Sequence, residues 1–127
     1  MADDAPVFAE GIDRYVELFR AGSPSSDIEA MRLSGDIGAD RFAQGLAPDV
    51  RRFDTSIAAR GREIAVRLYD PGGVGLRPAL CYFHGGGFAL GSIQTVDIVA
   101  AALAEATGAV VVSVEYRRLP DSDYPSA

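Results

Sequence analysis

The first part of the chain carries apolar residues at helical spacing. Between residues 7 and 20 they recur every three or four positions, which is the pattern of an amphipathic helix. Ser26 followed by Glu29 forms a capping box, which predicts the start of a second helix, and a short third helical piece follows. Two glycines are predicted to interrupt the second helix: Gly35 and Gly38. Residues 1–48 therefore form a predicted helical arm rather than part of a sheet.

From residue 49 onward the spacing becomes that of strands. Apolar residues alternate with more polar ones between Ile64 and Leu68, the two-residue period of a half-buried strand. A weaker alternation precedes it across a turn at Gly61, which predicts an antiparallel hairpin. Two further segments are continuously apolar, as is typical of parallel strands covered on both faces: Ala79–Phe83 and Val110–Val114. The helical pattern between them predicts a βαβ crossover with parallel strands.

Composition and charge remove several functions from consideration. The 127 residues are 48% hydrophobic and 24% charged, a profile of one globular unit. The formal charge is −6 and all 12 basic residues are arginine. The chain therefore lacks the basic stripe that nucleic-acid binding requires, and also the lysine of phosphate loops and Schiff-base enzymes. One cysteine and one histidine argue against a zinc site, and no metal or cofactor is expected.

The sequence also bears on where the protein works. Its first four residues are partly acidic and lack the basic and apolar regions of a signal peptide. No apolar stretch reaches the roughly 18–20 residues that a membrane span needs. We therefore expect a cytoplasmic protein without a membrane span.

A run of three glycines follows the first continuously apolar strand. It reads His84-Gly85-Gly86-Gly87-Phe88. Glycine permits backbone angles that point N–H groups into open space, and the carboxyl ends of parallel strands are where open α/β sheets bind ligands. In esterases and lipases such a loop forms an oxyanion hole, which stabilises the negative charge that develops on the carbonyl oxygen during ester cleavage. The run therefore indicates acyl-transfer chemistry.

This motif and its surroundings resemble the hormone-sensitive-lipase-like group of carboxylesterases and lipases, which have the α/β-hydrolase fold. Beyond the glycines, the resemblance is carried by Gly91-Ser92, Asp97, residues 107–117 and Tyr124-Pro125. It implies an α/β fold in which residues 49–127 form the N-terminal part of an α/β-hydrolase sheet, an antiparallel hairpin and then a parallel βαβ unit. The helical arm is then a cap. Two positions depart from the group: Val96 replaces a histidine, and residues 118–121 replace Leu-Ala-Pro-Glu.

The same resemblance implies roles for individual residues. Gly86 and Gly87 would donate their backbone N–H groups to the oxyanion, Gly85 would shape the turn, and His84 would anchor the loop by hydrogen bonding. The substrate would be a small-molecule ester. Three residues are expected at its acyl pocket: Phe88 on the loop, and Phe8 and Ile12 on the helical arm.

Plainer interpretations of these residues stay open. The glycines could form an ordinary turn of a dehydrogenase-like βαβ unit, although the Gly-x-Gly-x-x-Gly spacing is absent. His84 could be a general base. Cys81 is expected to be a small buried hydrophobic residue rather than a nucleophile, and Ser92 a loop or helix-capping residue rather than a catalytic one. Tyr116 and Arg117 are expected to fix the corner beside the site, and the first helix could serve for packing or as a lid.

The sequence lacks a catalytic triad. No serine has glycine both two positions before and two positions after it, as a nucleophile elbow requires, and the only histidine belongs to the glycine loop. We therefore expect the chain alone to be inactive, with the triad on a C-terminal segment of the same hydrolase, present as a second chain beside the Ala79–Phe83 strand. Two other functions stay open: an amide or lactone hydrolase, and a non-catalytic small-molecule-binding protein on the same scaffold.

Overall fold

The computed structural model describes residues 26–46 and 48–122. In chain order its elements are α1 (Ile28–Ala43), β1 (Arg51–Ala59), β2 (Arg62–Asp70), β3 (Ala79–Phe83), α2 (Asp97–Thr107) and β4 (Val110–Val114). The predicted first helix, with Phe8 and Ile12, lies outside the described residues, and so does the Tyr124-Pro125 pair.

Helix α1 is continuous, so the prediction that Gly35 and Gly38 interrupt it is wrong. Asp27, rather than Ser26, caps its N-terminus, because the Asp27 carboxylate accepts the N–H of Glu29 at 3.0 Å. The segment predicted as a third helical piece is not a separate helix, since its first residues form the last turn of α1. An interior glycine costs a helix only about 1 kcal/mol, and the contacts of α1 with the rest of the protein, described below, offset that cost.

The four strands form one mixed sheet in the order β1-β2-β4-β3. β1 and β2 are an antiparallel hairpin in which Arg51 pairs with Asp70 and Ala59 with Arg62. Both residues of the connecting turn have positive φ, which suits the twist of a hairpin. β2 pairs antiparallel with β4, and β4 pairs in parallel with β3. The predicted hairpin followed by a parallel βαβ unit is confirmed.

The core lies between α2 and the middle of the sheet. Four residues of α2 are buried, and three of them are alanines, which let the helix approach the sheet closely: Ala100, Ala101 and Ala104. Tyr69 on β2 and Val111 on β4 pack in the same cluster and are fully buried. α2 ends at Thr107 and is capped by Gly108, whose φ of 67° is a left-handed helix-terminating conformation.

Asp97 fixes the start of α2 to the sheet. Its Oδ1 accepts hydrogen bonds from Arg67 Nη1 at 2.8 Å and from the Tyr69 hydroxyl at 2.9 Å. Its Oδ2 accepts a third from Arg52 Nε at 3.1 Å. A carboxylate in the first turn also complements the helix dipole. In the described part of the chain, Asp97 therefore positions α2 and does not contact the glycine run.

β3 is an edge strand of the described sheet, paired only with β4. The prediction that both its faces are covered is wrong for these residues, since Leu80 is 39% and Phe83 64% exposed. Cys81 is exposed too, so the expectation of a buried cysteine is also wrong. The reason is that α2 packs on β2 and β4 rather than on β3.

Candidate active site

The glycine loop begins where β3 ends. Residues 84–91 turn back tightly, because the carbonyl oxygen of Gly86 accepts hydrogen bonds from the N–H groups of Ala89 (3.1 Å) and Leu90 (2.9 Å). Gly86 has φ 129° and Gly87 φ 61°. Glycine adopts such left-handed angles without the strain that a side chain would add. The backbone conformation at these two positions therefore favours glycine, the residue that the sequence has there.

Three successive carbonyl oxygens of this loop are held by hydrogen bonds. The Tyr116 hydroxyl donates to His84 O at 2.6 Å. His84 Nδ1 lies 3.0 Å from Gly85 O, and the turn holds the oxygen of Gly86. In a planar trans peptide the N–H points away from the C=O of the same unit, so the N–H groups of Gly86 and Gly87 point away from these contacts. Neither N–H donates to an acceptor within the described ranges.

His84 is buried against Tyr116. It is 3% exposed, and the two rings stack with centroids 4.2 Å apart. Because Gly85 O can only accept, its contact with His84 requires the proton on Nδ1; Nε2 is buried without a partner among the described residues. Burial raises the pKa of the Tyr116 hydroxyl, which keeps it a donor. The neighbouring Arg117 is exposed.

Two glycines of the loop are also required by space. A Cβ on Gly86 would overlap the carbonyl group of Leu90, and a Cβ on Gly91 would lie 2.6 Å from His84 Nδ1. Gly87 differs, because a Cβ there would meet nothing within 4 Å. The loop is therefore closely packed at Gly86 and Gly91 and open at Gly87.

Phe88 lies on the outer side of the loop. It has φ 61° and is 65% exposed. Its ring meets the edge of Tyr116, with centroids 6.5 Å apart, and its carbonyl oxygen accepts the N–H of Leu119 at 2.8 Å. Phe88 thus lies exposed directly beside the glycine run. The two other residues predicted at the acyl pocket, Phe8 and Ile12, lie outside the described residues.

Ser92 belongs to a hydrogen-bonded network that attaches the loop to α1. Its hydroxyl donates to Asp36 Oδ1 at 2.5 Å and accepts the N–H of Thr95 at 3.0 Å. The Thr95 hydroxyl donates to the same carboxylate at 2.7 Å. Ser92 is buried, and α2 begins only at Asp97. The structure therefore places Ser92 as a loop residue.

Two arginines that the sequence pattern does not single out as functional contact the glycine loop. Arg118 donates to Gly91 O and pairs with Glu115 at 3.2 Å, and Arg32 Nε donates to Ala89 O at 2.9 Å. The Arg32 contact joins residues 57 positions apart in the sequence. No local pattern distinguishes these arginines from the others, because their contacts with the loop form only in the folded protein.

Other parts of the described molecule offer less for chemistry. None of the three glycines lines a cavity of about 430 Å³, whose lining residues include Asp36, Asp54, Arg67, Gln94, Glu115 and Arg118. Hydrogen bonds and ion pairs with neighbours engage most of these groups. The described residues contain no group of three or more His, Cys, Asp or Glu that could hold a metal ion. None of their helices is long and apolar enough to cross a membrane.

Known proteins with similar sequences are esterases. A family model described as the alpha/beta hydrolase fold matches residues 80–127. Esterase LipI of Mycobacterium tuberculosis is 35% identical over 112 residues, which are 80% of this chain and 35% of that protein. Carboxylic ester hydrolase LipN of the same organism is 36% identical over 124 residues, or 91% of this chain and 33% of that protein.

Two of the solved structures that superpose on this chain are also esterases. An esterase of Pyrobaculum calidifontis superposes with a TM-score of 0.79 at 36% identity, covering 96% of this chain and 39% of that one. A thermophilic carboxylesterase cloned from a metagenomic library superposes with a TM-score of 0.73 at 30% identity, covering 80% and 35%. The chain belongs to the α/β-hydrolase family, in its hormone-sensitive-lipase-like carboxylesterase group. It spans about a third of the length of the curated relatives.

Proposed function

We propose that this chain supplies the oxyanion hole and part of the acyl-pocket cap of a serine-dependent carboxylic ester hydrolase. The observation that carries the proposal is the pair of N–H groups of Gly86 and Gly87, which have no acceptor within the described residues at the carboxyl end of β3. When a serine adds to an ester, the carbonyl oxygen becomes negatively charged. Each preorganised donor lowers that barrier by about 3–4 kcal/mol.

His84 anchors the loop in this proposal and does not take part in proton transfer. Its Nδ1–H fixes the carbonyl of Gly85, and this fixes the direction of the next N–H, that of Gly86. Tyr116 in turn holds His84 through the stacked ring and through the hydrogen bond to its carbonyl oxygen. The burial of His84 supports this role over that of a general base.

The acyl group of the substrate lies against apolar residues beside the loop. Phe88 is exposed next to the open side of Gly87, where an acyl chain would pass once its carbonyl oxygen lies at the two donors. On the family resemblance, we assign Phe8 and Ile12 of the predicted helical arm to the same pocket. The names of the relatives, an esterase and a carboxylic ester hydrolase, support an ester as the substrate.

The serine, acid and histidine come from a C-terminal segment of the same hydrolase, which binds along the edge of β3 that is unpaired in the described sheet. The sequence holds no Gly-x-Ser-x-Gly, and it spans about a third of the relatives' length. A parallel strand added at this edge would end beside the glycine loop, and in this fold the nucleophile elbow follows such a strand. This placement brings the serine to the two donors.

The test compares Gly87→Ala with Gly75→Ala in the chain combined with its triad-bearing segment. Both glycines have positive φ, 61° and 85°, and at both a Cβ meets nothing within 4 Å, so the backbone strain is matched. Gly75 precedes β3, at the opposite end from the loop. We expect Gly87→Ala to reduce hydrolysis of p-nitrophenyl acetate about 100-fold, the scale of one lost oxyanion donor, because the added methyl group occupies the open side of Gly87 where the substrate approaches. Gly75→Ala should leave hydrolysis unchanged.

Four outcomes would contradict the proposal. Equal turnover by the two variants would show that Gly87 is not an oxyanion donor. Hydrolysis by the chain without the segment would show that the triad is not supplied from outside. Substrate binding without turnover by the combined protein would favour a non-catalytic receptor, and faster cleavage of a matched p-nitroanilide would favour an amide hydrolase.

A further inference from the structure

Arg32 connects three separate parts of the molecule. It lies on α1, yet its Nε donates to Ala89 O in the glycine loop at 2.9 Å. Its Nη2 donates to Leu119 O, in the corner after β4, at 2.7 Å. Its Nη1 pairs with two carboxylates, Glu29 at 2.6 Å and Asp121 at 2.8 Å. The side chain is only 9% exposed.

We propose that Arg32 is a positioning residue for the oxyanion loop; the inference rests on the function proposed above for that loop. The contact with Ala89 O matters because the peptide unit of this carbonyl carries the N–H of Leu90, which donates to Gly86 O at 2.9 Å. The orientation of the Gly86 carbonyl sets that of the Gly87 N–H, since both belong to one planar peptide unit. Arg32 thus acts on an oxyanion donor through two hydrogen bonds.

The corner after β4 strengthens the same effect. The N–H of Leu119 donates to Phe88 O at 2.8 Å, while the carbonyl oxygen of Leu119 accepts from Arg32. Two consecutive loop carbonyls, those of Phe88 and Ala89, are therefore held from one side by a single unit made of Arg32 and Leu119. A shift of this unit moves both carbonyls together, and with them the turn that closes on Gly86.

The chemistry of the guanidinium suits this position. Its planar fork holds donors at fixed angles, so one side chain serves two carbonyls and two carboxylates at the same time. A buried charge is costly unless it is paired, and Asp121 and Glu29 supply the opposite charges. Lysine carries the charge but not the fork, so we expect that it cannot replace Arg32.

The first measurement is hydrogen–deuterium exchange of the backbone amides in the peptide spanning residues 84–91. It uses the chain combined with its triad-bearing segment, with Arg32→Gln, Arg32→Lys and the control Glu29→Gln. Glu29→Gln removes one carboxylate and leaves the contacts with Ala89 and Leu119 in place. We expect faster exchange of the loop peptide in both Arg32 variants, with exchange of β1 and β2 unchanged, and a loop like the wild type in the control.

The second measurement is ester hydrolysis by the same proteins. We expect kcat for p-nitrophenyl acetate to fall about 10–100-fold in Arg32→Gln, a partial loss of one donor, with KM within about two-fold, since the interaction forms in the transition state. Dividing kcat by the sites titrated with a phosphonate removes any effect of unfolded protein. Arg32→Lys should not rescue kcat.

Unchanged loop exchange with unchanged kcat in Arg32→Gln would overturn the inference. So would faster exchange throughout the chain, because that pattern indicates general destabilisation. If the wild-type protein does not hydrolyse esters at all, the proposed function fails, whereas the exchange data still decide whether Arg32 positions the loop.

Discussion

At the scale of single residues, the loop depends on partners that fix one peptide after another. Tyr116 holds the carbonyl of His84, His84 holds that of Gly85, and the turn holds that of Gly86. The importance of the glycines could be predicted from the sequence, because a backbone with positive φ favours glycine over other residues. The role of Arg32 could not, because an arginine that binds a distant carbonyl looks like any other arginine until the fold brings the two together.

The tight packing of Gly86 gives a prediction about stability. A Cβ on Gly86 would overlap the Leu90 carbonyl at φ 129°, whereas a Cβ on Gly85 meets nothing within 4 Å and its φ is not positive. We expect Gly86→Ala to lower the free energy of unfolding by about 1–3 kcal/mol through overpacking and strain. Gly85→Ala should change it by less than about 0.5 kcal/mol. Thermal unfolding of the two variants in one buffer is the measurement, and equal melting temperatures would contradict the packing argument.

At the scale of elements, local patterns predict the strands and α2 but not the continuity of α1. The patterns that predict the strands involve only neighbouring residues: the apolar–polar alternation, the turn glycine and the continuous apolar runs. The strands of the sheet lie where these patterns predict them. Gly35 and Gly38 weaken α1 locally. Side chains of α1 compensate by binding elsewhere: Arg32 binds the loop, and Asp36 binds Ser92 and Thr95. Contacts so distant in sequence override the local preference.

The open end of the hairpin gives a pH prediction. Asp70 accepts from Arg77, from the N–H of Gly72 and from Arg51 on β1, and these contacts, that of Arg77 first, lower its pKa. A lowered pKa contributes stability that is present above about pH 4, the unfolded value, and is lost as the pH falls through the folded value.

We therefore expect Asp70→Asn to be less stable at neutral pH and to lose less further stability below about pH 4 than the wild type. Urea unfolding between neutral and acid pH measures both effects. The control is Asp49→Asn, an exposed position whose carboxylate makes no ion pair within the described part of the chain. Parallel pH curves for Asp70→Asn and the wild type would show that this carboxylate does not couple folding to pH.

At the scale of the whole molecule, the proposed active site and the expected self-association of the chain involve the same edge of the sheet. β3 carries the glycine loop at one end and has no partner on one side within the described sheet. Its exposed apolar side chains, Leu80 and Phe83, extend that unpaired surface. An exposed apolar edge strand pairs readily with other chains. The proposed partner at this edge is the triad-bearing segment, and a second copy would compete for it.

The isolated 127-residue chain should therefore self-associate, and a charge on β3 should prevent it. We expect light scattering to show oligomers for the wild type and Leu76→Lys, and smaller species for Leu80→Lys, because lysine on an edge strand opposes strand pairing. Leu76 is the matched control, being a fully exposed leucine in the loop before β3. Reducing agent excludes disulfides through the exposed Cys81.

The same pair of variants separates self-association from the active assembly. Leu80→Lys should also lose ester hydrolysis when the triad-bearing segment is added, since the segment needs the edge that the lysine blocks, whereas Leu76→Lys should be activated like the wild type. A monomeric wild-type chain, or a Leu80→Lys chain that the segment activates fully, would show that this edge of β3 is not where the triad-bearing segment binds.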